Sequence, residues 1–211
     1  MKKFYTLILA CLLTSGAIAQ STSGTTSGIK YGIKAGVNLA TISISEDDDL
    51  KSITSFQIGG TVDIPVGTSF SVQPGISLSG KGFKFKGNDS GDSYKDQTDV
   101  MYLEIPVNAI YKIGGIYLGA GPYAAFALSG KNKWEETYEG ETEKGDEKIK
   151  FGSGDDEMKA SDFGLNILAG YQLSSGLNFG LNYGLGLSNL MNSDDFKMKN
   201  RVFSVTVGFS F

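Results

Sequence analysis

The stretch Leu177-Asn-Phe-Gly-Leu-Asn-Tyr-Gly-Leu-Gly-Leu187 has a large apolar residue at every odd position and Gly or Asn at every even one. Only a β-strand, in which successive side chains point to opposite faces, sorts this alternation into an apolar and a small polar side. Segment 203–211 repeats it, because Phe and Val alternate there with Ser, Thr and Gly. The period of two predicts an all-β chain.

The same pattern recurs along the chain and predicts eight strands. The regular segments are 31–39, 56–64, 101–111, 162–173, 177–187 and 201–211, and two less regular ones are roughly 69–86 and 115–130. Pro74 and Pro122 interrupt the irregular pair, since proline cannot donate to a strand ladder. A bulge near residues 80–82 is predicted to move Phe83 and Phe85 onto the apolar face.

The connections between these strands alternate strictly between short and long. Short ones are predicted at 66–68, 113–115 and 174–176, and long charged ones at 46–51, 88–99, 133–160 and 191–199. Transmembrane barrels of the outer membrane have short periplasmic turns and longer extracellular loops. The pattern predicts an eight-stranded antiparallel transmembrane β-barrel, in which the first strand pairs with the last so that no edge is left in the bilayer.

The non-apolar face of the strands decides between two kinds of barrel. In a soluble, lipocalin-like carrier the apolar side chains point inward and the other face meets water. Here that other face is mostly Gly, Asn, Ser and Thr, with few charges. Small residues of this kind suit the narrow interior of an eight-stranded barrel. The composition favours apolar side chains outward, against lipid.

The N-terminus has the features of an export signal. Lys2 and Lys3 precede a short apolar run at 7–13, and Ala17-Ile-Ala19 supplies small residues before a cut ahead of residue 20. The predicted organisation is a cleaved signal peptide over 1–19, a flexible segment over 20–30 and a barrel over 31–211. The alternatives are a retained anchor and a lipoprotein cut before Cys11.

Composition argues against several classes of function. Cys11 is the only cysteine and there is no histidine, so the mature chain lacks thiolate chemistry and the usual general base of hydrolases. Removal of Lys2 and Lys3 leaves 17 of the 19 basic residues against 23 acidic ones, a charge of −6. We therefore expect no enzyme activity, no cofactor and no nucleic-acid partner.

Charged residues on the inward side of the strands are the first candidate site. They are Lys34, Asp63, Glu104 and Asp162, with Arg201 near a strand end. One interpretation is a network of paired charges that fills the barrel, because buried charges need partners. The other is a gated path for an ion or solute.

The long segment 133–160 is the second candidate site. Its proposed interaction residues are Trp134, Glu135, Glu136, Tyr138, Asp155, Asp156 and Glu157. One interpretation is a solvated loop, and the other is a surface that binds a protein or a divalent cation. The carboxylate spacing matches no EF-hand loop, so no metal ligand is assigned.

Several short motifs resemble the Bacteroidetes outer-membrane barrel family that includes PorT-like proteins and the OmpA-like small barrels. They are Gly32-Ile-Lys-Ala-Gly-Val-Asn-Leu39, Val72-Gln-Pro-Gly75, Tyr102-Leu-Glu-Ile-Pro-Val107, Gly119-Ala-Gly-Pro-Tyr123 and Val207-Gly-Phe-Ser-Phe211. The resemblance implies an outer-membrane location and eight strands, and it carries no catalytic residue. Some PorT-like members take part in protein secretion.

The sequence thus predicts an outer-membrane protein with a structural or partner-binding role through acidic external loops. Expected partners are outer-membrane lipid and lipopolysaccharide, with protein or divalent-cation contact at the loops. Two alternatives stay open: a narrow channel for a small or hydrophobic solute, and an accessory role in secretion.

Overall fold

The structure is a computed structural model that describes residues 28–44, 50–89, 92–138, 141–154, 157–192 and 197–211. The predicted signal peptide and most of the predicted flexible segment lie outside these residues. The strands are β1 (Lys30–Ser43), β2 (Leu50–Lys51), β3 (Ile53–Pro65), β4 (Phe70–Asp89), β5 (Asp92–Ile113), β6 (Ile116–Tyr138), β7 (Glu141–Lys148), β8 (Ser161–Gln172), β9 (Leu177–Gly186) and β10 (Lys199–Ser210). Within the described residues, no helix has the length and apolar character needed to cross a membrane.

Eight of the strands close into an antiparallel ring. Its order is β4-β3-β1-β10-β9-β8-β6-β5, and β5 pairs back onto β4. The first and last strands pair over their whole lengths, from Gly32 opposite Ser210 to Ser43 opposite Lys199. Closure pairs each of these eight strands on both sides within the ring, so the ring itself has no open edge. The predicted eight-stranded barrel is confirmed, with β2 and β7 added outside the ring on β4 and β6.

The two faces of the wall differ as the alternation predicts. The outward side chains are large and apolar and remain exposed, for example Ile33 at 61%, Ile167 at 59% and Val205 at 52%. The inward ones are small or polar and buried, for example Asn38, Asn166 and Ser204. An apolar belt of this extent around a closed barrel is the lipid-facing surface of a membrane protein. The soluble-carrier alternative needs the opposite orientation and is wrong.

Aromatic rings inside the barrel lie over glycines on the neighbouring strand. Tyr123 is paired with Gly164, and Tyr117 is paired with Gly170. A Cβ on Gly164 would be 2.6 Å from the Tyr123 ring, and one on Gly170 would collide with Tyr117. These glycines make room for the rings and fix the register of β6 against β8.

The connections at one end of the barrel are short, as predicted. Gly114 and Gly115 turn β5 into β6 with φ of 55° and 93°, and Gly176 has φ of 95° in the turn between β8 and β9. These backbone conformations favour glycine. Aromatic pairs also lie at this end, with the rings of Phe70 and Tyr111 4.9 Å apart.

The opposite end differs from the sequence prediction. The sequence predicts loops at 88–99 and 133–160, yet β5 begins at Asp92, β6 continues to Tyr138 and β7 follows from Glu141. These parts of the strands lie beyond the apolar belt, and charged residues are frequent on both of their faces. The apolar period that identifies a half-buried strand is therefore absent there.

The predicted shift of Phe83 and Phe85 to the apolar face is also wrong. The β4–β5 register runs without a break from Ser77 opposite Glu104 to Asp89 opposite Asp92. Phe83 therefore stays inward and is buried, and Phe85 packs against the same cluster. The bulge lies on the other side of β5, where the β5–β6 register shifts between Met101 and Tyr102.

Candidate functional site: the lumen and the extended sheet

The lumen is occupied at mid-height by an ion cluster centred on Lys81 of β4. The Lys81 Nζ lies 2.8 Å from Glu104 Oε2 and 3.1 Å from Asp162 Oδ2. It also lies 4.2 Å from the ring centre of Tyr123 and 5.3 Å from that of Tyr102. A buried ammonium group therefore meets two carboxylates and two aromatic faces, which together replace its hydration.

Asp162 is the fully buried anion of this cluster. Its Oδ2 accepts hydrogen bonds from Lys81 Nζ at 3.1 Å, the Tyr123 hydroxyl at 3.1 Å and Asn200 Nδ2 at 2.9 Å. Its Oδ1 accepts one from Ser188 Oγ at 3.1 Å. The donors come from β4, β6, β10 and the segment after β9, so the carboxylate ties together both sides of the barrel.

An apolar cluster closes the lumen on the long-loop side of these charges. It consists of Ile42, Phe83, Val100, Tyr102, Tyr123, Ala125, Met158, Leu190 and Met198. On the short-turn side, Asn38 Oδ1 accepts hydrogen bonds from Gln57 Nε2 and Ser204 Oγ, both at 2.9 Å. Its Nδ2 donates a hydrogen bond to Gly80 O at 2.9 Å. The middle of the barrel is thus filled by side chains.

Towards the short turns the lumen contains a cavity of about 70 Å³. Lys34, Asn108 and Asn182 are among the residues that line it, and the Oδ1 atoms of both asparagines are buried without a hydrogen-bond partner. Asp63 lies at the same end and is paired with Lys112. Such a polar cavity has room for only a few water molecules.

The structure places four of the five predicted lumen charges inside the barrel. Glu104 and Asp162 belong to the Lys81 cluster, while Lys34 and Asp63 line the cavity. Arg201 does not join them, because its neighbours Asn200 and Val202 point inward and it therefore points outward. Its guanidinium donates to the carbonyl oxygens of Gly186 and Asn200 at 2.8 Å.

Sequence reasoning missed Lys81, the centre of the cluster. The signal was available, since Ser77, Ser79 and Lys81 share one parity opposite Ile76 and Leu78. The bulge predicted at residues 80–82 interrupts that parity, so the sequence prediction does not place Lys81 on the inward face.

Beyond the apolar belt, four strands continue as a two-sided sheet, hereafter the extension. It comprises residues 82–89 of β4, 92–99 of β5, 131–138 of β6 and all of β7. Its inner face continues the lumen side of the wall, because it follows the inward residues Phe83, Val100 and Tyr102. Its outer face continues the lipid-facing side.

The extension divides the predicted loop site between its two faces. Trp134, Glu136 and Tyr138 lie on the inner face, while Glu135 lies on the outer face. Glu157 lies elsewhere, in a turn where its Oε2 accepts from Gly154 N at 3.0 Å. Asp155 and Asp156 lie outside the described residues. In the described part of the chain, no group of three or more acidic, His or Cys side chains has the arrangement of a metal site.

Ion pairs link the strands on the outer face of the extension. Lys133 Nζ is 2.7 Å from Asp99, and this carboxylate raises the pKa of Lys133. Hydrogen bonding from Lys144 lowers the pKa of Glu135, and hydrogen bonding from Lys131 lowers that of Asp146. The contribution of these two carboxylates to stability is present above their ordinary pKa and is lost as the pH falls through the lowered value. Because both are exposed, it is small.

The match to a family model agrees with the barrel. Residues 18–192 match the family model described as an outer membrane protein beta-barrel domain. Similar solved structures include Ail of Yersinia pestis (14% identity, TM-score 0.42, covering 88% of this chain and 100% of that one) and neisserial surface protein A (14%, 0.45, 88% and 100%). OprG of Pseudomonas aeruginosa is also similar (13%, 0.34, 87% and 96%), and Ail has a solved complex with the heparin analogue sucrose octasulfate. No curated protein sequence matches the chain.

Proposed function

We propose that this chain is a surface docking protein whose extension binds a basic protein segment. The chain belongs to the outer membrane protein beta-barrel domain family. The observation that carries this proposal is the composition of the inner face of the extension. Tyr94, Trp134 and Tyr138 lie there among five carboxylates, namely Asp96, Glu136, Glu141, Glu143 and Glu147. The described residues of this face include no lysine or arginine.

The charge of this face is not neutralised from within. None of its five carboxylates forms an ion pair among the described residues. By contrast, each carboxylate on the outer face has a lysine partner. Five like charges on adjacent strands repel one another, and a cationic partner relieves that repulsion.

The aromatic residues provide rigid contact area beside these charges. The Trp134 ring lies over Gly145, where a Cβ would be 2.5 Å from it, and Tyr138 is 66% exposed. Tryptophan and tyrosine are the side chains that most often dominate binding energy, and both attract arginine or lysine through their ring faces. The combination suits a partner rich in arginine or lysine.

We expect the Trp134→Ala/Tyr138→Ala variant to bind an oligo-arginine peptide at least 10-fold more weakly than the unmodified chain. The loss of two aromatic anchors, each worth about 1–2 kcal/mol at a binding surface, is the physical reason. The measurement is fluorescence anisotropy of the labelled peptide with the full chain in neutral nanodiscs.

The matched control is Gln97→Ala/Thr137→Ala, which alters the outer face of the same strands and should leave the affinity unchanged. An oligo-glutamate peptide should not bind. Equal binding by the aromatic variant, or the absence of oligo-arginine binding by the unmodified chain, would show that the inner face is not the docking surface.

A narrow channel is the alternative function, and the filled lumen disfavours it. Among the described residues, the Lys81 cluster and the apolar cluster above it fill the middle of the lumen, and the cavity between them and the short turns has a volume of about 70 Å³. We expect the chain reconstituted in a planar bilayer to give no discrete current steps in potassium chloride. Reproducible steps that disappear with a boiled sample would favour the channel instead.

The proposed role is non-catalytic. The narrower PorT-like assignment and a part in protein secretion stay predictions of the sequence resemblance.

A further inference from the structure

The outer face of the extension gathers most of its cationic side chains. Strand pairing places directly opposed residues on the same face, so the register assigns each side chain without ambiguity. The lysines on this face are Lys51, Lys84, Lys86, Lys95, Lys131, Lys133, Lys144 and Lys148. The net negative charge of the chain does not reveal this positive surface, because most acidic residues of the extension lie on its inner face.

The positive charge of this face exceeds what its own carboxylates neutralise. Its acidic residues in the described strands are Asp99, Glu135 and Asp146, and each pairs with a lysine of the same face. Leaving out Lys51, seven lysines against three carboxylates leave an excess of four positive charges. A surface of this kind attracts anions that carry several charges.

The outer face also lies at the level of lipid headgroups. Leu128 is the last large apolar side chain of β6 that points to lipid, and Lys131 follows three residues later on the same side of the wall. Strand rise of about 3.3 Å per residue puts the Lys131 backbone roughly 7–10 Å above Leu128 once strand tilt is included. The polar zone on each side of the hydrocarbon core is roughly 5–8 Å thick, so the lowest lysines lie within or just above it.

A groove at this boundary has the lining of a phospholipid-type site. It has a volume of about 550 Å³, and its lining includes Met101 and Leu128 towards the apolar belt, Lys131, Lys133 and Lys148 above them, and Asp99, which pairs with Lys133. The lining also reaches Val100 and Phe151 on the lumen side of the wall. Three lysines stand above these apolar side chains, and Lys131 and Lys133 pair with Asp146 and Asp99, so the groove keeps a net positive charge. A net positive rim above apolar side chains matches a ligand with acyl chains below a phosphate. A soluble polyanion has no acyl chains that could contact the apolar part of the groove.

We propose that the outer face of the extension binds the phosphate groups of outer-leaflet lipid of the lipid A class. Binding holds the sheet upright against the headgroup layer and leaves the acidic inner face accessible. The inference rests on the outer-membrane location of the barrel and not on the proposed docking of a basic partner.

The test variant is Lys84→Gln/Lys86→Gln/Lys148→Gln. It removes three charges but keeps the lysines that pair with Asp99, Glu135 and Asp146, so the sheet retains its ion pairs. With the full chain in phosphatidylcholine nanodiscs at low ionic strength, we expect binding of bisphosphorylated lipid A to weaken on the order of 100-fold. Native mass spectrometry of the retained lipid measures it, and a heat-dependent gel shift shows that each variant is folded.

The matched control, Lys30→Gln/Lys159→Gln/Lys197→Gln, removes equal charge outside the extension and should bind like the unmodified chain. Dephosphorylated lipid A should bind weakly and equally to all three proteins. Equal retention of bisphosphorylated lipid A by the test variant and the unmodified chain would overturn the proposal. So would dextran sulfate binding to this face while lipid A does not, since the occupant would then be a soluble polyanion.

Discussion

The Lys81→Met variant is expected to lose about 3–5 kcal/mol of unfolding free energy, because it leaves two carboxylates inside the barrel without their cation. Lys81 is 2% exposed, and it lies within hydrogen-bonding distance of both Glu104 and Asp162. Methionine has a similar length, so the change removes charge without opening a large cavity. Urea unfolding of the chain refolded in detergent, followed by far-UV circular dichroism of the strands, measures the loss.

The control is Lys84→Met, three residues further along β4 on the outer face of the extension. It should change the unfolding free energy by no more than about 0.5 kcal/mol, because Lys84 is only partly buried and lies outside the lumen ion cluster. The double variant Lys81→Met/Asp162→Asn should recover part of the loss, since the amide carries no uncompensated charge. If Lys81→Met were as stable as the unmodified chain, the ion cluster would not hold the barrel together.

Much of the barrel follows from the alternation alone. In the wall, lipid contacts one face of each strand and the narrow lumen the other, so the period of two is visible in segments such as 177–187. Closure of the first strand on the last then follows from the cost of an unpaired edge in hydrocarbon. The outward orientation follows from the glycines and asparagines, which fit only the interior.

The extension could not be predicted by the same reasoning. Both of its faces meet water or headgroups, so Lys131, Lys133 and Glu135 alternate with Asn132 and Trp134 without an apolar period. What separates the faces is the sign of the charge, and that separation appears only after strand pairing is known. Residues 133–138 and 141–148 of the acidic loop predicted from composition lie in a sheet with one cationic and one acidic face.

The lumen cluster was only partly predictable, for a different reason. Parity identifies Glu104 and Asp162 as inward residues, but it does not say which strands face each other across the barrel. Lys81 lies 81 residues from Asp162 in the chain, and their contact depends on the curvature of the closed wall. An inward charge is predictable from the sequence, and its partner is not.

The Gly121→Ala variant is expected to cost about 3 kcal/mol, at the upper end of the range for overpacking. A Cβ at this position would overlap the carbonyl oxygen of Val107 and lie 2.7 Å from the Cα of Asn108. These obstacles are backbone atoms of β5, which cannot rotate aside as a side chain can. The β5–β6 pairing is interrupted at this position. Pro106 pairs with Tyr123 and Ala109 pairs with Ala120, and no pair is formed between them, next to Pro122.

Gly184→Ala is the matched control for this effect, because Gly184 is also an inward glycine in a ring strand. Its added Cβ would meet nothing nearer than Asn166 Oδ1 at 3.4 Å and Val202 Cβ at 3.7 Å, which are ordinary contacts. We expect Gly184→Ala to be neutral or slightly stabilising, since alanine restricts the unfolded chain. A difference of about 3 kcal/mol between the two variants in urea unfolding would show that glycine at 121 is required by the close approach of β5. Equal stabilities would mean that the wall widens freely there, and that the lumen is less tightly fitted than the packing of β5 against β6 indicates.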